Sequence, residues 1–136
     1  MVEVSQDALE RLAQYWGRAE IMRRHFQDYV DSYGGMSGAV AEGNGLRIET
    51  YVSFWMAALF VAVEGFNKLK LKDGRVQKLL KEHTNDLKEL RHVTYHFRVS
   101  PEKGAKAIRA INWVEELHVA LGLFIEQHVD IEGIDR

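Results

Sequence analysis

Arg91, His92 and His96 lie close together in the segment HTNDLKELRHVTYHFRVSP, which runs from His83 to Pro101. A guanidinium stays charged at all physiological pH values, whereas an imidazole gains and loses its proton near neutrality. A fixed cation beside a group that transfers protons suits chemistry on a phosphodiester. The simpler alternative is a helix that carries three polar residues on its surface.

The spacing predicts how these groups sit on a helix. His92 and His96 are four residues apart and share a face, whereas Arg91 and His96 are five apart and about 140° apart around the axis. Arginine is long enough to reach around the helix towards a phosphate. We therefore expect the three side chains to converge on a groove beside the helix, or on a site that a second subunit completes.

Charge is distributed unevenly along the chain. The stretch 68–109 carries twelve Lys or Arg and five Asp or Glu, a net charge of +7, and the rest of the chain has a net charge of −9. A basic region around the candidate site is typical of proteins that bind a phosphate-bearing partner, although a solvated lysine-rich surface gives the same pattern. We regard Lys88 and Arg98 as candidate phosphate- or RNA-binding residues in this region.

The elements that must position these residues are predicted to be helices. Apolar residues recur at steps of three and four, and no segment alternates as a strand does. The predicted helices run from Ser5 to Gly34, Arg47 to Leu69, Gly74 to His83, Thr84 to Ser100 and Ala105 to Val129. Thr84 or Asn85 is expected to cap the fourth of these helices, and His128 or Ile125 is expected to be buried in the last.

The glycine-rich stretch from Gly34 to Gly45 lacks the preceding strand and the Gly-Lys-Ser/Thr ending of a nucleotide-binding loop. We therefore interpret it as a connector with about one helical turn.

The second predicted helix is apolar on almost every side, because Phe54, Met56, Phe60 and Val61 extend its apolar face. Such a helix lies either at the centre of a bundle or under a second subunit, so we expect a homodimer. Its most apolar part, Tyr51 to Val63, is too short to span a bilayer, and the amino-terminal residues do not resemble a signal peptide. These features predict a cytoplasmic protein without membrane contact.

Composition narrows the class of protein. With 136 residues, one proline, no cysteine and 46% apolar residues, the chain is expected to form a single all-α domain, an up-and-down bundle of four or five helices spanning residues 1–136. The absence of cysteine excludes disulfides, thiolate metal ligands and cysteine nucleophiles.

The run Leu90-Arg91-His92-Val93-Thr94-Tyr95-His96 resembles the Arg-x4-6-His signature of the HEPN superfamily of helical domains. The family more often has asparagine where this chain has His92. The resemblance covers roughly Arg47 to Val129, and it implies a metal-independent endoribonuclease of the toxin or defence kind. It also implies an RNA substrate, no cofactor and a nucleotidyltransferase-type antitoxin as a partner.

The same resemblance suggests roles for individual residues. His96 would be the general acid or base, and Arg91 would hold the scissile phosphate. His92 would orient the phosphate or share proton transfer, and Tyr95 would contact a base or ribose.

Two alternatives stay open. The first is a noncatalytic HEPN-like module that dimerises and binds a nucleotide or a protein partner. The second is a di-metal helical bundle, because Glu89 with His92 and Glu115 with His118 form two Glu-x-x-His pairs. Glu20 and Glu64 would then supply the remaining carboxylates.

Overall fold

The protein is described by a computed structural model that covers residues 4–95 and 109–130; side chains from 91 to 95 lie outside the description. Every regular element in these two ranges is a helix, which confirms the all-α class. The helices are α1 (Gln6–Asp31), α2 (Met36–Ala41), α3 (Gly45–Lys68), α4 (Gly74–Glu82), α5 (Thr84–Tyr95) and α6 (Ile111–Glu126).

Helix α1 begins where the sequence predicts it. The Ser5 hydroxyl accepts a hydrogen bond from the Ala8 amide at 3.2 Å, as an N-cap does. At the other end, Gly34 and Gly35 adopt φ values of 76° and 125°, a backbone region that costs glycine little. The Gly35 amide then bonds back to the Val30 carbonyl at 3.0 Å, which closes the helix.

Helix α3 forms the centre of the core and packs most extensively against α1. Its buried residues recur at helical spacing and include several of the largest side chains. They are Ile48, Val52, Trp55, Met56, Leu59, Phe60, Ala62, Val63 and Phe66. Apolar side chains from α1, α2, α4, α5 and α6 join them in one buried cluster.

Helix α6 approaches α1 closely because residue 122 is glycine. A Cβ atom at Gly122 would lie 2.5 Å from Cζ2 of Trp16, which is closer than carbon atoms can pack.

Two burial predictions can be compared with the structure. Ile125 is buried and His128 is exposed, so Ile125 is the core residue of the two alternatives. Tyr33, which the periodicity of α1 assigns to the apolar face, is 39% exposed because it lies beyond the end of the helix.

The prediction that Thr84 or Asn85 caps the helix bearing Arg91 is wrong, because α5 begins at Thr84 and both residues lie within its first turn. The hydroxyl of Thr84 has a different role. It donates backwards, to the carbonyls of Leu80 at 2.8 Å and Lys81 at 3.2 Å. Those carbonyls end α4 and would otherwise lack partners. Only His83 separates α4 from α5, so the hydroxyl of Thr84 stabilises the junction between the two helices.

One side of α3 is apolar and exposed. Leu46, Phe54 and Val61 are 78%, 59% and 36% exposed, whereas Met56 and Phe60 are buried. We call Leu46, Phe54 and Val61 the outer α3 strip. Within the described ranges, α3 is also the one helix that is long and apolar enough to cross a membrane, by length and composition alone. In the 18-residue stretch of α3 that meets this criterion, 44% is buried inside the protein.

Candidate functional site

Helix α5 carries the backbone of three predicted site residues. The helix is continuous from Thr84 to Tyr95, so Arg91 and His92 lie about one turn after Lys88 and Tyr95 about two turns after it. The helical register places Arg91, three residues after Lys88, on the Lys88 side of α5. His96 and Arg98 lie outside the described residues, so the convergence of Arg91 with His96 stays a prediction.

A cleft of about 370 Å³ lies on the Lys88 side of α5. Its described lining residues come from the end of α3, the end of α4 and the first turns of α5, and none of them is acidic. They are Asn67, Leu80, Lys81, Thr84, Leu87 and Lys88. Two exposed ammonium groups and an amide beside an apolar floor are suited to a phosphate attached to an organic group. We call this site the basic cleft.

Lys88, Tyr95 and Arg98 are the predicted phosphate- or RNA-binding residues. The structure describes the side chain of Lys88 alone among them, and that side chain lines the basic cleft. Lys81, which sequence reasoning did not single out, lines the same cleft from α4. The two lysines are seven residues apart, a spacing that also puts residues on the same side of a continuous helix. The sequence pattern does not reveal the cleft, because its wall includes Asn67 from α3.

A second group of polar residues lies between α1, α3 and α6. The carboxylate of Glu20 accepts a 2.6 Å hydrogen bond from Nε of Arg23, and Nη1 of Arg23 lies 3.3 Å from Oε1 of Glu115. His118, only 1% exposed, places its Nε2 3.2 Å from Oε1 of Glu20. Glu20, Arg23, Glu115 and His118 form what we call the α1–α6 polar network.

The ring of His118 is held by tryptophans as well. Nε1 of Trp55 lies 3.2 Å from Nδ1 of His118, and an indole N–H can only donate. Nδ1 must then be the acceptor, so Nε2 carries the proton and donates it to Glu20. Nε1 of Trp16 donates to the backbone carbonyl of His118 at 3.0 Å. The imidazole is thus fixed in one tautomer and one orientation.

The network also keeps Glu20 ionised. Burial raises the pKa of the Glu20 carboxyl, but hydrogen bonds from His118 and Arg23, together with the Arg23 charge, outweigh burial and lower that pKa from 4.5 to about 2. The same carboxylate raises the pKa of Arg23 against the opposing effect of burial. The charged forms of both side chains are therefore stable inside the bundle.

The described residues do not assemble the di-metal alternative. Glu20 and His118 do meet, but the guanidinium of Arg23 bridges Glu20 and Glu115 where that arrangement would need a metal ion. Glu64 pairs with Lys68 at 3.2 Å instead of facing His118. In the part of the chain that the structure describes, no three His, Asp or Glu side chains are grouped so that they could hold a metal.

Sequence reasoning treated Glu20 and His118 only as potential metal ligands and missed their role in the core. A signal was present, because His118 follows Val114 by four residues and precedes Leu121 by three, which is the spacing of a buried position. Its partners on α1 and α3 are distant in sequence and were not deducible from it.

Comparison with known proteins leaves the chain without a family assignment. No protein-family model matches it, and no curated protein or solved structure is similar enough to count as a match. The resemblance to HEPN domains stays a hypothesis based on the α5 motif.

Proposed function

We propose that the chain is a HEPN-like, metal-independent endoribonuclease whose site lies along α5. The observation that carries this proposal is the basic cleft, because it lies on the side of α5 where the helical register also places Arg91. A cleft whose described lining has two lysines and no acidic residue, next to an arginine, provides the positive potential that an RNA backbone needs.

In this proposal the chemistry is an internal transfer of the phosphodiester. His96, acting as the base, takes the proton of the ribose 2′-hydroxyl, and the 2′-oxygen attacks the neighbouring phosphorus. The bond from phosphorus to the 5′-oxygen breaks, and that oxygen receives a proton from an imidazolium, for which His92 is the candidate. The products are a 2′,3′-cyclic phosphate and a free 5′-hydroxyl.

Arg91 would stabilise the transition state of this reaction. Negative charge grows on the non-bridging oxygens as the 2′-oxygen attacks, and a guanidinium that donates two hydrogen bonds offsets that charge. Lys81 and Lys88 would bind the phosphates that precede or follow the scissile one, and Tyr95 and Arg98 would extend the RNA contact. All of these steps use side chains of the protein alone.

The basic cleft predicts a specific change in RNA binding. Replacing Lys88 with alanine should weaken binding of a single-stranded RNA oligonucleotide and lower the slope of log K against log salt by about 0.7, the loss of one phosphate contact. Fluorescence anisotropy over a series of salt concentrations measures both quantities. Arg11→Ala, which removes the same charge from an exposed position on α1, is the control.

The control variant should keep the wild-type slope. An unchanged slope in Lys88→Ala would show that RNA does not contact the basic cleft. The same loss in Arg11→Ala would show that only the overall charge matters.

The outer α3 strip favours a second component of the proposal, a homodimer. Leu46, Phe54 and Val61 follow one side of α3 and expose apolar surface. A second copy of the same strip is the simplest partner, since twofold symmetry pairs a surface with itself. A noncatalytic dimerising module would use this surface too, so dimerisation alone does not distinguish that alternative from the nuclease.

Replacing Phe54 with glutamate should convert the dimer into a monomer, because two carboxylates would face each other in an apolar interface. Light scattering at micromolar concentration measures this change. Leu123→Glu places the same charge at an exposed apolar position of α6, which is 47% exposed, and should leave the dimer intact. A monomeric wild-type protein would contradict the homodimer.

A further inference from the structure

The side of α5 opposite the basic cleft borders a second, smaller pocket. Its volume is about 200 Å³, and it lies between α5 and the beginning of α6. The described lining residues combine an apolar surface with charges of both signs. They are Asp86, Glu89, Leu90, Arg109, Ala110 and Trp113.

The tryptophan of this pocket is held in place by a histidine. The rings of His83 and Trp113 stack with centroids 4.3 Å apart and planes inclined by only 6°. Nδ1 of His83 also lies 3.8 Å from Oδ2 of Asp86. Because His83 is the single residue between α4 and α5, the junction of these helices positions the aromatic side of the pocket.

The size and lining of the pocket limit what can bind there. Clefts for drug-sized ligands begin at about 300 Å³, so a pocket of 200 Å³ suits a single flat ring system. An indole at its edge favours an aromatic ligand by stacking. Two carboxylates, of Asp86 and Glu89, and the guanidinium of Arg109 in the same lining favour a ring that offers both donors and acceptors.

We propose that this pocket binds one unstacked guanine base of an RNA strand, which stacks on the face of Trp113 that His83 does not cover. Guanine offers two adjacent donors, N1–H and the N2 amino group, to a carboxylate such as that of Asp86. It also offers two adjacent acceptors, O6 and N7, to a guanidinium such as that of Arg109. Cytosine lacks the adjacent donors, and adenine and uracil lack both adjacent pairs, so each would leave Asp86, Arg109 or both with fewer hydrogen bonds.

This inference rests on the proposed function and adds a substrate class to it. A base can enter the pocket only when it is unpaired, so the substrate would be single-stranded RNA that contains guanosine. Its backbone would cross α5, with phosphates in the basic cleft on one side and a guanine on the other side. Cleavage would then occur at a fixed distance from that guanosine.

The experiment measures base binding separately from cleavage. The 5′-monophosphates of guanosine, inosine, adenosine, cytidine and uridine are titrated into the wild-type protein, and binding is followed by tryptophan fluorescence and calorimetry. All five carry the same phosphate, so differences among them report the base. Trp16 and Trp55 are buried, which leaves Trp113 as the tryptophan that a ligand can quench.

Guanosine monophosphate should bind about tenfold more tightly than the adenosine, cytidine and uridine compounds, since one good bidentate contact gives discrimination of this order. Inosine monophosphate, which lacks the N2 amino group, should be intermediate. Asp86→Asn should abolish the preference, and it should fold normally because the Asp86 side chain is 64% exposed. In Trp113→Phe the quenching should disappear while calorimetry still detects the ligand.

Equal binding of all five nucleotides, or a guanine preference that survives Asp86→Asn, would overturn the proposal. Failure of the nuclease gives a different result, namely selective guanine binding without cleavage of any RNA. Cleavage without regard to base, combined with equal nucleotide binding, would retain the nuclease and reject the guanine pocket.

Discussion

Replacing His118 with alanine should lower the free energy of unfolding by about 3 kcal/mol. The substitution removes the proton donor to Glu20 and the acceptor for the indole N–H of Trp55, two contacts of 3.2 Å. The Glu20 carboxylate and the Trp55 indole N–H would then each lose a hydrogen-bond partner in or near the protein interior, and an unpaired buried polar group lowers the free energy of unfolding. The lost ring also leaves a cavity beside Trp16, whose ring centroid lies 4.9 Å from that of His118.

Urea denaturation at pH 7 measures this loss. His25→Ala is the matched control, since His25 is exposed on α1 and its replacement should change stability by less than about 0.5 kcal/mol. If His118→Ala were as stable as the control, the α1–α6 polar network would not contribute to the fold.

The same network predicts how stability depends on pH. Because the Glu20 pKa of about 2 in the folded protein lies below its ordinary value of 4.5, ionised Glu20 contributes its full stabilisation above pH 4.5. That contribution, about 3 kcal/mol, is lost as the pH falls from 4.5 towards 2. Glu20→Gln should flatten the stability profile in this interval, and Glu10→Gln, an exposed change on the same helix, should not.

Replacing His96 with alanine should reduce RNA cleavage by about 10²–10⁴-fold, the usual contribution of a general acid or base. Arg91→Ala should reduce it by about 10²–10³-fold, since the charge that develops on the phosphate would lose its main stabiliser. Neither change should lower the unfolding midpoint. Cleavage should also continue in the presence of EDTA, because the proposed steps involve no metal ion.

Two variants on α1 control for the loss of a histidine or an arginine. His25→Ala and Arg11→Ala remove the same groups from exposed positions, and both should cleave RNA at the wild-type rate. If His96→Ala retained full activity, the assignment of the base would be wrong. If EDTA abolished cleavage, the metal-independent mechanism would be wrong.

Much of the fold could be predicted from local patterns. The three- and four-residue spacing of apolar side chains in α1 and α3 predicts the main buried face of each helix. Ser5 caps α1, as its position before Gln6 and Asp7 suggests. Local patterns suffice here because helix formation and burial of one face depend on residues that are close in sequence.

The remaining features depend on contacts between elements. Helix α3 is apolar on nearly all sides, so its periodicity could not show that Met56 and Phe60 are buried while Phe54 is exposed. The pairing of Glu20 with His118 joins residues 98 positions apart. The cleft that Lys81 and Lys88 line is completed by Asn67 at the end of α3, which local patterns in α4 and α5 cannot show. The Arg91 helix was predicted correctly as far as Tyr95, and the meeting of Arg91 with His96 stays a prediction.

The most direct test of the nuclease is to incubate wild-type and His96→Ala protein with total RNA in EDTA and to map the ends of the fragments. The proposal predicts new fragments with 2′,3′-cyclic phosphate and 5′-hydroxyl ends in the wild-type reaction and their absence in the His96→Ala reaction. Intact RNA in both reactions, or fragments with the same ends and yield in both, would contradict it.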